Sequence, residues 1–145
     1  MQVKRWRLLG KKIVFTNGVF DILHQGHISS LSEAAAQGDI LIVGLNADAS
    51  VKRLKGESRP INHETARALL LASLVMTDAV VLFEEDTPFN LITSILPDVL
   101  VKGGDYTIEQ IAGAKEVLAN GGTVHLAKIL EGTSTTGIIQ KMKGA

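Results

Sequence analysis

Apolar positions in this chain fall into short continuous runs separated by longer stretches of helical period. Lys12 to Thr16, Ile40 to Leu45, Ala79 to Phe83, Asp98 to Val101 and Thr123 to Ala127 are such runs, mostly β-branched. Strands covered on both faces by helices read this way, because neither face meets water. Between them, Ile28 to Gln37 sets Ile28, Leu31 and Ala35 on one helical face, and Gly38 follows as a stop. His63 to Leu74 is rich in Ala and Leu, with Asn62 placed as N-cap. A helix entered at Pro88 after Thr87 should end near Pro97. Glu109 to Asn120, closed by Gly121, and Thr135 to Met142 complete the set.

The alternation predicts an α/β fold, a Rossmann-like sandwich with a central parallel sheet of about five strands flanked by helices. Residues 1–145 read as one domain, without repeat or linker. Asn46 to Asn62 is the most irregular stretch and carries Lys52, Arg53, Lys55, Gly56 and Arg59. It reads either as a basic loop over a pocket or as a solvated turn. Met76 reads as core, Leu69-Leu70-Leu71 as core or a subunit contact, Trp6 as an anchor for the N-terminal segment or a subunit contact, and Glu84 to Asp86 as a solvated acidic loop.

Composition narrows the function. The 145 residues carry 15 Lys+Arg against 15 Asp+Glu, so no broad basic surface for nucleic acid is expected. Cysteine is absent, which excludes disulfides and cysteine-based zinc sites. No stretch reaches the ~20 apolar residues of a membrane helix, and Met1 to Gly10 lacks the apolar run of a signal peptide. The expectation is a cytoplasmic protein with no membrane partner.

The densest chemistry lies just after the first strand, in Thr16-Asn17-Gly18-Val19-Phe20-Asp21-Ile22-Leu23-His24-Gln25-Gly26-His27. In open α/β sheets ligands bind beyond the carboxyl ends of strands, where a helix start offers unpaired N–H groups to an anion. Neither the G-x-G-x-x-G fingerprint nor the G-x-x-x-x-G-K-[ST] loop is present. His24 and His27, three residues apart, share one helical face, and even a neutral imidazole keeps one N–H for a phosphate oxygen. The only other histidines are His63 and His125, and no H-E-x-x-H pattern occurs, so no metal site is assigned.

His24-Gln25-Gly26-His27 resembles the HxGH signature of a nucleotidyltransferase superfamily. The strings Gly44 to Ser50, Lys55 to Asn62, Phe83 to Pro88, Pro97 to Tyr106 and Glu131 to Thr136 are similar to one branch of it. That branch is the adenylyltransferase-domain family of bacterial ADP-heptose synthesis, and the likeness runs over about residues 11–142. Gly137 and His63 depart from its usual pattern.

The resemblance implies transfer of AMP from ATP to D-glycero-β-D-manno-heptose 1-phosphate, with magnesium accompanying ATP and pyrophosphate leaving. The ADP-heptose formed feeds lipopolysaccharide core synthesis. It further implies a homodimer, and a sugar kinase as a fused or separate partner. By resemblance, the catalytic set is His24, His27 and Lys52. Thr16, Asn17, Gly18, Phe20, His24 and His27 meet the nucleotide, with Lys102, Gly103 and Asp105 at the nucleoside rim and Ser134, Thr135 and Thr136 at the last helix. Asp21, Lys52, Lys55 and Arg67 are placed toward the acceptor, while Asp21 reads equally as a structural cap and Arg67 as a brace of the site or a surface helix arginine. Two other readings stand beside this one: a cytidylyltransferase acting on glycerol 3-phosphate or another small phosphorylated acceptor, and a non-catalytic nucleotide-sensing module.

Overall fold

The computed structural model describes residues 1–128 and 135–144. Five strands, β1 (Ile13–Gly18), β2 (Ile40–Asn46), β3 (Ala79–Phe83), β4 (Val99–Gly103) and β5 (Thr123–Ala127), form one sheet. All pairings are parallel and the order is β3-β2-β1-β4-β5. The helices are α1 (Gln2–Leu8), α2 (Gln25–Ala35), α3 (Asp48–Lys55), α4 (Glu64–Ala72), α5 (Phe89–Ile95), α6 (Ala114–Ala119) and α7 (Thr135–Gly144).

The strand period of two divides the core. Val14, Leu41, Val43, Val99 and Val101 point to one face and pack with Leu31 and Ala34 of α2 and Leu71 of α4. Their neighbours Ile13, Phe15, Ile42 and Leu100 point to the other face. They meet Ile92 and Ile95 of α5 and Ala114 and Val117 of α6, with Val3 and Trp6 of α1 packed alongside. Burial on both faces is why the strands read as unbroken apolar runs.

The amino ends of the strands are closed by a repeated device. An aspartate stands before each of β2, β3 and β4 and accepts an N–H from the adjoining chain: Asp39 from Lys12 at 2.8 Å, Asp78 from Leu41 at 2.8 Å, and Asp98 from Ile13 at 2.8 Å. A carboxylate satisfies donors that the ladder has not yet paired.

Several sequence expectations are revised. Asn46 to Asn62 is neither a loop nor a plain turn over its first half: it contains α3. That helix buries only Ser50 and Val51, so its apolar period is faint. Asp48 in its first turn and Lys52, Arg53 and Lys55 in its last suit the helix dipole. α1 was not foreseen. His63, not Asn62, is the N-cap of α4. Leu71 alone of the leucine triplet is core, since Leu69 and Leu70 are 68% and 47% exposed. The helix expected over Glu109 to Asn120 divides into a 3-10 turn (Ile108–Gln110) and α6. Between them Gly113 takes φ +80°, and a Cβ there would sit 2.5 Å from Ile92.

Candidate active site

From β1 the chain moves outward to β2 and β3, then returns to lay β4 on the other side of β1. This reversal makes a crevice at the carboxyl ends of β1 and β4, the usual ligand position in such sheets. β1 stays paired with β2 as far as Gly18 and Leu45, whereas its pairing with β4 covers Val14 with Val99 and Phe15 with Leu100. Beyond that point the Thr16 hydroxyl donates to the Val101 carbonyl at 3.0 Å.

Two cavities open there, of about 280 and 200 Å³. They share Asn17, Gly18, Val19, Val101 and Lys102 as a common wall. The smaller adds Thr16, Phe20, His27, Ser30 and Gly103. The larger adds Asn46, Leu54, Asp86, Thr87, Tyr106 and Gln110. A side chain at Gly18 would collide with the Phe20 ring, since its Cβ would lie 2.8 Å from Cε2.

The two imidazoles form the cap of α2. The Gly26 N–H donates to His24 Nδ1 at 3.1 Å, and the His24 N–H donates to His27 Nδ1 at 3.3 Å. The rings stack with centroids 3.8 Å apart, and Phe20 meets His27 edge-on at 5.1 Å. Because both Nδ1 atoms accept, each neutral ring carries its proton on Nε2. Burial, and then the neighbouring His24 ring, push the His27 pKa down to about 4; burial also lowers that of His24. The cap thus presents neutral N–H donors near pH 7. His24 Nε2 is buried and lacks a hydrogen-bond partner among the described residues.

Phe20 takes φ +48°, in the left-handed region that a bulky residue adopts only when its surroundings impose it. Both neighbours are anchored. The Val19 carbonyl accepts from Arg67 at 2.9 Å. The Asp21 carboxylate accepts from Arg59 Nε at 2.8 Å and from the N–H groups of Ile61 and Asn62 at 2.9 Å. Burial alone would raise the Asp21 pKa, but these two backbone donors and Arg59 outweigh it and hold the carboxyl below its ordinary value. Arg67 also reaches the Asn62 and Asn46 carbonyls at 2.9 and 2.7 Å and Asp48 at 2.6 Å.

The side chains of Asp21 and Arg67 have no exposed surface. The acceptor contact expected of them therefore has nowhere to occur. They fix the loop that carries Phe20 and tie it to β2 and α3.

The other expected residues divide into those at the crevice and those away from it. Thr16, Asn17, Gly18, Phe20, His27, Lys102 and Gly103 meet around the crevice. Lys102 is half-buried, with Nζ 5.3 Å from the centre of the Tyr106 ring, and burial lowers its pKa. His24 lines neither cavity but stacks on His27. Asp105 is exposed and lines neither. Lys52 and Lys55 are exposed in the last turn of α3; of that turn, Leu54 is the residue that reaches the larger cavity. Thr135 and Thr136 open α7, and Ser134 lies outside the described residues.

Ser30, Asn46, Asp86, Thr87 and Gln110 had been given no site role. Ser30 was legible as the residue three after His27 on the same helical face. Thr107 to Gln110 spells a capping box, and Gln110 Oε1 does accept the Thr107 N–H at 2.9 Å.

Residues 15–141 match the family described as cytidylyltransferase-like. The chain belongs to that family. It carries a nucleotidyltransferase domain, as its HxGH string had suggested. It is 57% identical over 142 residues to the "Bifunctional protein HldE" of Rhodospirillum rubrum, covering 98% of this chain and 29% of that protein. To the protein of the same name from Shigella sonnei it is 59% identical over 137 residues, 94% of this chain and again 29% of the other. The nucleotidyltransferase domain thus spans under a third of these relatives. Among solved structures it resembles the lipopolysaccharide core biosynthesis protein from Thermoplasma volcanium, with TM-score 0.66 and 32% identity over 83% of this chain and 98% of the other. No helix among the described residues is long and apolar enough to cross a membrane.

Proposed function

We propose that this chain transfers AMP from ATP to D-glycero-β-D-manno-heptose 1-phosphate, releasing pyrophosphate. The observation that carries the reading is the neutral imidazole pair capping α2 at the head of the crevice. The similarity to the HldE proteins and to a lipopolysaccharide core biosynthesis protein supports a heptose phosphate as acceptor.

An oxygen of the sugar phosphate attacks the α-phosphorus. A new P–O bond forms as the bond to the pyrophosphate oxygen breaks, and pyrophosphate departs with that electron pair. A phosphate monoester with a second pKa near ~6 is already largely dianionic at neutral pH, so no strong base is needed. The remaining task is to hold two anions together and stabilise charge on the transferring oxygens. His27 Nε2–H is the donor for the α-phosphoryl group, and its low pKa means that it acts as a neutral donor. His24 orients His27 through the cap and ring stack. Lys102 supplies positive charge at the wall common to both cavities.

Magnesium accompanying ATP would neutralise charge on the phosphates. Among the described residues no three His, Asp or Glu side chains cluster to hold it. Thr136 at the head of α7 belongs to the nucleotide side, while Lys52 and Lys55 remain the cations of α3 for the acceptor or leaving phosphates. A homodimer and a sugar kinase partner belong to the same proposal.

Pyrophosphate release tests the reading when ATP and CTP are each supplied with heptose 1-phosphate and with glycerol 3-phosphate, magnesium present. ATP with heptose 1-phosphate should lead in kcat/KM by at least about tenfold. A lead for CTP with glycerol 3-phosphate would move the chain to the cytidylyltransferase reading.

A further inference from the structure

The two cavities differ in chemistry. The smaller is headed by His27 and the start of α2, a setting for a polyanion. The larger has no imidazole; its polar lining includes the amides of Asn17, Asn46 and Gln110 and the Asp86 carboxylate. For Gln110 a hydrogen bond decides which way the amide presents itself. Gln110 commits its carbonyl oxygen to the Thr107 N–H, leaving its NH2 as donor. The Asn46 amide meets the Ser50 hydroxyl at 2.8 Å with one of its two polar groups and keeps the other for a ligand. Asp86 pairs with Arg53 Nε at 2.9 Å, but the two side chains are 64% and 50% exposed. An exposed pair of this kind contributes little to stability, so the carboxylate can turn to a ligand at little cost.

We propose that the larger cavity is the sugar subsite, and that Asn46, Asp86 and Gln110 select a polyhydroxylated acceptor by reading its hydroxyls. This rests on the nucleotide-transfer reading above. A hydroxyl both donates and accepts, so a polyol is matched by a lining that fixes donors and acceptors in separate places. A carboxylate can take two adjacent hydroxyls together. Leu54, with Leu100 and Ile111, gives the apolar wall against which the carbon skeleton rests. Lys102, in the wall toward His27, then meets the sugar's phosphate as it approaches the nucleotide. A short polyol phosphate would leave the far amide and carboxylate unpaired, and such a deficit is what a site built for hydroxyls rejects most strongly.

The test uses Gln110→Glu, which keeps an oxygen for the Thr107 N–H but removes the NH2, and Asp86→Asn, which keeps the shape but removes the charge. Arg53→Ala is the control, because it breaks the exterior ion pair without altering the cavity lining. Kinetics with ATP and either heptose 1-phosphate or glycerol 3-phosphate are read beside calorimetric titration of heptose 1-phosphate alone. In the two cavity variants the KM and Kd for heptose 1-phosphate should rise roughly tenfold, as for loss of one hydrogen bond. Preference over glycerol 3-phosphate should shrink with them, the KM for ATP should stay within about twofold, and Arg53→Ala should keep the preference. An active wild type whose cavity variants shift only the KM for ATP, or whose Arg53→Ala loses preference as Asp86→Asn does, overturns this assignment and leaves the transfer reading intact. Binding that the variants weaken, without any pyrophosphate release by the wild type, overturns the transfer reading instead. A wild type that neither binds nor turns over heptose 1-phosphate overturns both.

Discussion

The two ends of one sheet are built for opposite purposes. At the amino ends, Asp39, Asp78 and Asp98 each reach the adjoining chain and satisfy a backbone N–H at 2.8 Å. At the carboxyl ends, the pairing of β1 with β4 stops after Phe15 and Leu100, and the space beyond holds the two cavities. One end completes its hydrogen bonds within the protein. The other leaves His24 Nε2 buried with no hydrogen-bond partner among the described residues. The same strands and the same twist serve both, so the division between stability and chemistry follows the direction of the chain rather than its composition.

Substitution at each end should separate the two roles. His27→Ala is expected to have the largest effect, lowering kcat by ~10²–10³, as for removal of a donor to the transition state. Because the ring also caps α2, stability should fall too, by about 1 kcal/mol. Steady-state kinetics beside a urea midpoint would show the disproportion; a kcat within a few-fold of wild type would remove His27 from the chemistry.

Asp98→Ala should give the reverse pattern. It leaves the Ile13 N–H without its partner at the buried start of β1, a loss of about 1–3 kcal/mol. Turnover per folded molecule should be unchanged. If kcat fell as far as it does for His27→Ala, the two ends would not be independent.

A further effect is in acid. The His27 pKa is depressed, to about 4 from an ordinary 6.5, so the unfolded chain binds this proton more readily than the folded one. Its contribution to stability is complete above pH ~6.5 and is lost as pH falls toward about 4. The slope from this one group cannot exceed about 1.4 kcal/mol per pH unit. Urea midpoints of wild type and His27→Gln between these limits should converge as pH falls. Parallel curves would mean that the cap does not hold the ring neutral.

Much of this organisation was legible beforehand. Unbroken β-branched runs located all five strands to within about two residues at their ends, because burial on both faces leaves no polar alternation to confuse them. The HxGH string located the head of α2, since its spacing is local and its chemistry depends on one helix start. α3 escaped notice because only Ser50 and Val51 are buried in it. It is held instead by contacts that no local pattern encodes, Arg67 with Asp48 and the Glu64 carboxylate with the Asp48 N–H at 2.9 Å.

Local sequence, then, determined the layered α/β fold, the end of the sheet that would carry chemistry, and the imidazole pair set there. Tertiary structure decided what each charged group near that pair does. Asp21 in the motif and Arg67 in α4 are open to either a ligand or a bracing role in sequence, yet partners 41 and 48 residues away bury them and make them clamps. Asn46, Asp86 and Gln110, distant in sequence, meet at one cavity because β2, the segment after β3 and the segment after β4 all end at the same edge of the sheet. Periodicity and spacing report contacts within one helix or strand. Which groups are saturated and which are left for a ligand depends on where long-range folding places their partners.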